Sequence, residues 1–236
     1  MTRAIDILCN DFTPAGIAKN YLENEEEHSR FAQVGRAREM ASYDVPDFIA
    51  RMDRLGIEKV FVCAIKTWSV QQQTLLEHST IDEVIAVKEQ APDRLYGLVG
   101  INVHQKMKGV AELEHAVKEH GFVGAHLHPH GYGLPPDHAS YYPYYAKCEE
   151  LGVPVIISTG HTLDLMPNEP GRPMHLDNVA LYFQDLAIVW FQETAVHDLR
   201  PEATGRQRLC SVVGSAHHRS GGEEGDVGSP PEDFPR

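Results

Sequence analysis

Residues 109–129 read GVAELEHAVKEHGFVGAHLHP: an amphipathic stretch of helix formers, a glycine, then a short apolar run. Gly121 stands where a helix C-terminus calls for a left-handed residue. The run after it is continuous rather than alternating, which is how a strand buried on both faces reads. The same order recurs in PDFIARMDRLG-IEKVFVCAI around Gly56 and in YYPYYAKCEELG-VPVIISTG around Gly152. Two further units fit less cleanly. STIDEVIAVKEQAPDR, with Ser79 or Thr80 as N-cap, leads into LYGLVGIN, and RPMHLDNVALYFQD leads into LAIVW.

RAIDILCN supplies a first strand, so the pattern predicts six strands near residues 4–10, 58–65, 95–101, 122–128, 153–158 and 186–190, separated by helices. Strict alternation of strand and helix implies an α/β fold with a parallel sheet and right-handed crossovers, either an open doubly wound sheet or a TIM-type (β/α) barrel. No GxGxxG or GxxxxGK follows a strand, which removes the usual nucleotide fingerprints of the open sheet. Polar residues gather just past the strand ends, at Asn10, Asp11, Lys66, Asn102, His104, His126 to His130 and His161. A barrel places its active site at that face.

Composition narrows the function. A net charge of −13 over 236 residues offers nothing to nucleic-acid phosphates, so no nucleic-acid partner is expected. The four cysteines are scattered with no CxxC pair, which reads as reduced, buried thiols. With no apolar stretch of signal-peptide or membrane-span length, no membrane partner and a cytoplasmic location are the expectation. The segment NYLENEEEHSRFAQVGRAREMASYD, residues 20–44, reads as a helical excursion or lid, or more simply as solvated charged surface, the reading favoured here.

GFVGAHLHP, YYPYYAKCEELGVPVIISTGH and HLDNVALYFQDLAIV, in that order and spacing, resemble the amidohydrolase-related family similar to aminocarboxymuconate-semialdehyde decarboxylase. The resemblance covers about Arg3 to Val189. It implies a barrel of the metal-dependent hydrolase kind that hydrolyses or decarboxylates, without oxidation, a small carboxylated or cyclic substrate. It further implies a divalent metal, zinc or else manganese, held by a His-x-His pair on the first strand, a His after the fifth and an Asp on the eighth. His161, in STGH, matches the fifth-strand ligand. Leu8 and Asn10 stand where the first-strand pair would be, and strand parity turns Cys9 away from their face.

His126 and His128 share a face of the fourth strand and are expected to act as catalytic groups, His126 also contacting substrate, with hydrogen-bonding caps of the loop as the simpler alternative and replacement metal ligands as a further one. Asn10 and His175 are the other expected substrate contacts, His175 alternatively a half-buried helix-start residue. Asp6, buried by pattern, needs a backbone or His partner. His130 and His138, among Gly and Pro, are expected at the surface.

From Trp190 onward WFQETAVHDLRPEATGRQRLC departs from the family pattern, so the expected organisation is an incomplete barrel of about six βα units over 1–196 and a disordered tail over 197–236. Such a barrel has apolar edges, from which a homo-oligomer or an aggregation-prone chain is expected. The alternative function is a catalytically inactive fragment acting through protein association.

Overall fold

The structure, a computed structural model, describes residues 4–33, 41–162, 164–193 and 214–215. Six parallel strands form a curled sheet in sequence order: β1 (Ala4–Cys9), β2 (Ile57–Ala64), β5 (Leu95–Gly100), β6 (Gly124–Leu127), β7 (Val155–Gly160) and β8 (Ile188–Glu193). Between β2 and β5 lies a separate antiparallel hairpin, β3 (Lys66–Trp68) with β4 (Leu75–His78). Helices α3 (Val45–Leu55), α4 (Ile81–Lys88), α5 (Lys106–His120), α6 (Tyr142–Leu151) and α7 (His175–Tyr182) connect the parallel strands. The chain between β1 and α3 carries α1 (Pro14–Ile17), a π-helical turn (Ala18–Leu22) and α2 (Glu25–Gln33). Among the described residues no helix is long and apolar enough to cross a membrane.

The helix–strand punctuation follows the glycines. Gly56, Gly121 and Gly152 take left-handed φ values of 72°, 63° and 66°, closing α3, α5 and α6 so that the next strand can begin at once. Thr80 caps α4 in a reciprocal box. Its hydroxyl accepts from the Glu83 amide at 3.1 Å while the Glu83 carboxylate accepts from the Thr80 amide at 2.7 Å.

Alternate residues of each strand enter one of two apolar layers. Val60, Val62, Ala64, Val99, Ala125, Leu127, Val155 and Ile157 pack with the helices. Cys63, Ile65, Leu98 and Ile156, with Phe61, Val189 and Phe191 against them, fill the inner face of the curl. Cys9 packs with the helix-side cluster and Leu8 with the inner one. The β1–β2 register shifts between Asp6 and Cys9. Asp6 accepts from the Leu8 amide at 3.2 Å beside that irregularity, and burial raises its carboxyl pKa despite the bond.

The expected solvated surface at residues 20–33 is instead a packed cap. Asn20, Tyr21 and Glu27 are buried, and Tyr21 meets Phe31 edge-on at 5.6 Å. A π-helical turn is wider than an α-turn, which brings the adjacent Asn20 and Tyr21 both to the packed side. Residues 34–40 of that segment lie outside the described residues, as does most of the expected tail. Gly214 and Ser215 are described, and pair antiparallel with Trp190 and Val189 at the margin of β8. β8 itself continues past Trp190 to Glu193 in unbroken register with β7.

Replacing Thr80 by Ala removes one side of the α4 box and leaves the Glu83 amide without its cap, a loss of about 0.5–2 kcal/mol. Urea unfolding should show a lower midpoint at unchanged slope. A midpoint equal to that of the parent would mean that the cap adds nothing.

Candidate active site at the strand ends

The carboxyl ends of β1, β2, β6 and β7 converge with the cap and the β3–β4 hairpin. On β6, Ala125 and Leu127 belong to the helix-side layer, so His126 falls on the inner face. Its Nε2 lies 3.1 Å from Ser158 Oγ on β7, and its ring lies 6.2 Å from that of Phe191 on β8 at an interplanar angle of 25°. His126 is 2% exposed and Ser158 fully buried, so the pair is held in a water-poor interior. His128, two residues on, is buried too, and its ring centroid lies 4.9 Å from that of His130.

His130 corrects the expectation of a surface residue: it is fully buried, and its Nε2 lies 2.9 Å from the Gly160 carbonyl oxygen at the end of β7. Two glycines admit it. A Cβ on Gly171 would collide with the His130 imidazole, and one on Gly131 with the Trp68 carbonyl. The loop after β6 is therefore folded back over the strand ends. His138 is exposed as expected, its Nδ1 accepting from the Ser140 amide at 3.3 Å.

The other expected site residues are dispersed. Asn10 donates from Nδ2 to Tyr21 Oη at 2.7 Å. His175 sits 24% exposed at the start of α7, with Nδ1 3.3 Å from Asp137 and Nε2 3.8 Å from Glu169. His161 is exposed, just beyond Gly160, whose φ of 82° turns the chain out of β7. Lys66 and Asn102, though at strand ends, serve the scaffold. Lys66 Nζ reaches Glu112 on α5 at 2.6 Å, and Asn102 caps the turn of residues 103–105 by accepting from the His104 amide at 3.0 Å.

Several polar groups of the mouth escaped the reading of the sequence. Thr67 on β3 and Glu77 on β4 face each other, with the hydroxyl donating to the carboxylate at 3.3 Å, and both are buried. On α2, Arg30 joins Glu27 and Asp164 and lies 4.7 Å from the Phe31 ring centre. A cleft of about 310 Å³ opens beside it between α2, the β3–β4 turn and the loop after β7, lined by Glu26, Arg30, Gln72 and Asp164 among others.

The three thiols among the described residues are held as unreactive SH groups. Burial raises the Cys148 pKa to about 12 and pushes those of Cys9 and Cys63 higher still, so all three stay protonated at neutral pH. Burial likewise raises the hydroxyls of Tyr21, Tyr132, Tyr141, Tyr144 and Tyr145.

The donors do not fit the metal that the resemblance implies. Leu8 has no ligating atom, Asn10 is engaged with Tyr21, and His161 is exposed. Among the described residues no three His, Cys, Asp or Glu side chains converge to hold an ion.

Comparison with known proteins gives a consistent frame. An uncharacterised TIM-barrel protein from Bordetella bronchiseptica superposes with a TM-score of 0.58 at 23% identity, over 79% of this chain and 66% of that one. A 5-carboxyvanillate decarboxylase from Novosphingobium aromaticivorans, complexed with manganese and 4-hydroxy-3-methoxy-5-nitrobenzoic acid, gives 0.58 at 19% identity, over 80% of this chain and 64% of that one. A 2,6-dihydroxybenzoate decarboxylase from Rhizobium gives 0.56 at 16% identity, over 89% of this chain and 76% of that one. At these identities the likeness is one of fold, and this chain spans no more than two thirds of the length of the first two. No curated protein matches. The amidohydrolase family model matches residues 36–203, beginning after β1 and running past Trp190, where the sequence pattern had suggested a break. The chain belongs to the amidohydrolase family.

Proposed function

We propose that this chain acts on a small carboxylated, cyclic substrate, as a non-oxidative decarboxylase or, failing that, a hydrolase, with His126 and His128 touching the substrate. One observation carries the reading: two buried imidazoles, His126 on the inner face of β6 and His128 just past its last residue, stand at the carboxyl end of the strand, the end at which barrels of this kind do their chemistry. Relatives that decarboxylate hydroxylated benzoates favour loss of CO2 over hydrolysis. Zinc or manganese on His161 remains the cofactor suggested by the resemblance and by the manganese in a relative, but the described donor set gives it no support. The proton steps therefore rest on the chain's own groups.

In decarboxylation the ring carbon bearing the carboxylate must gain a proton as it loses CO2. His126, as imidazolium, gives that proton to the carbon, the bond to the carboxyl group breaks with its electrons returning to the ring, and CO2 leaves. His126 is then neutral and must be reprotonated before the next turnover. Ser158 fixes the orientation of the His126 ring through the 3.1 Å bond, and Phe191 offers a flat apolar surface beside it.

With 2,6-dihydroxybenzoate as probe, the full chain should release CO2, and His126→Ala should slow release by about 10²–10⁴-fold, the usual contribution of a positioned acid or base. His138→Ala, at an exposed position, should match the parent. Equal release by the His126 variant and the parent would overturn the assignment.

A second reading, association without catalysis, draws on the edge of the sheet. β1 pairs with β2 on one side and with no described strand on the other, and Ile5 on it is 51% exposed. An open apolar edge invites a strand from another copy. Light scattering at low micromolar concentration should then report a dimer or larger species, and a monodisperse monomer would count against self-association.

A further inference from the structure

At the end of β1 the amide of Asn10 is already engaged. Its Nδ2 donates to Tyr21 Oη at 2.7 Å, so the phenol keeps its own hydrogen to donate, and the Glu77 carboxylate is the charged neighbour that, after burial, raises the phenol pKa. Glu77 in turn accepts from Thr67 Oγ1 at 3.3 Å. The amide donates to the phenol and the hydroxyl to the carboxylate. The four residues come from four separate pieces of the chain: the end of β1, the π-helical turn, β3 and β4. Tyr21, Thr67 and Glu77 are buried.

Neighbouring bonds hold the same pieces together. Asn20 Nδ2 reaches Ser79 Oγ at 3.2 Å, and its Oδ1 accepts from the His78 amide at 3.1 Å. Asn24 Nδ2 donates to the Leu76 carbonyl at 2.7 Å.

A cation at this end of β1 would require carboxylate, imidazole or thiolate donors directed at it. Leu8 supplies none. The Cys9 thiol belongs to the helix-side layer and points its hydrogen at the Asn10 carbonyl, 3.2 Å away.

We propose that the Asn10–Tyr21–Glu77–Thr67 network stands in place of a first-strand metal pair, clasping the cap to the strand ends without a cation. The clasp does the mechanical work that a shared ion would otherwise do: it ties β1, the cap and the hairpin to one another. It does not depend on the reaction proposed above.

The test uses the full chain, treated with chelator, desalted and then given manganese or zinc chloride, with the thermal midpoint and retained metal measured for the parent, Asn10→Ala, Tyr21→Phe and Thr67→Val. Tyr21→Phe keeps the ring against Phe31 and removes only the hydroxyl. Its midpoint should fall by about 2–8 °C, since it leaves buried polar partners unmet in a chain of this size. Thr67→Val should give a smaller fall in the same direction, and it reads the network from its far end should Tyr21→Phe not fold. Neither metal should raise the parent's midpoint in a way that Asn10→Ala abolishes. Two results would each overturn the proposal: a metal-dependent rise of several degrees with about one ion per chain, lost in Asn10→Ala, or parental midpoints in both Tyr21→Phe and Thr67→Val.

Discussion

The central strands β6 and β7, buried along almost their whole length, have no face left for water. Each residue of β6 or β7 goes either to the helix layer or to the inner face of the curl, and a polar side chain on the inner face must find its partner there. His126 meets that requirement through Ser158. In the β6–β7 register His126 stands opposite Ile156, so Ser158 is its diagonal neighbour on the same face, within reach of an imidazole. A slip of one residue would send His126 into the helices and Ala125 inward, so the ladder that builds the fold also sets the position of the imidazole.

The other end of the sheet obeys the same rule by a different device. β1 is irregular beside β2, and its inner end would be left open. The chain answers by folding residues 13–33 back over it and bolting them to a hairpin that hangs from β2. Thr13 starts this cap: its hydroxyl accepts from the Gly16 amide at 3.0 Å and donates to Asp11 at 2.7 Å, and a Cβ at Gly16 would strike that carboxylate. The π-helical turn then brings Asn20 and Tyr21 together onto the packed side. The cap is thus part of the mouth wall, and the cleft beside Arg30 lies between it and the loop after β7.

The alternation of helix, glycine and apolar run was legible in the sequence because each signal is local: a left-handed glycine and a continuous β-branched run need only their immediate neighbours. The parity of β1 was legible only in part: Cys9 does turn to the helix side, but Ile7 and Leu8 both pack on the inner cluster across the irregularity. The β3–β4 hairpin was not, since its strands are three and four residues long and its turn, VQQQT, has no glycine to announce it. Residues 20–33 looked solvated because Glu25, Glu26 and Glu27 are adjacent, although Tyr21 and Phe31 bracket them as a clue to a packed face. His130 was misjudged because Gly and Pro around a His suggest exposure. Here Gly131 and the distant Gly171 are the clearances that let it in, and nothing local links residue 171 to residue 130.

What the fold leaves available for chemistry follows from what it neutralises. Cys9, Cys63 and Cys148 are protonated thiols and the buried tyrosines are protonated phenols, because burial disfavours the anion in each case. Lys66 is tied to Glu112 on the helix side, away from the inner face. Proton traffic at the strand ends near neutral pH therefore falls to carboxylates and imidazoles. Of the carboxylates there, Asp11 accepts from Thr13, Glu77 accepts from Thr67, and Glu27 and Asp164 are joined to Arg30. Imidazole is the side chain whose ordinary pKa lies closest to neutrality. On the inner side of the sheet that side chain is His126, beside the Ser158 hydroxyl and the Phe191 ring.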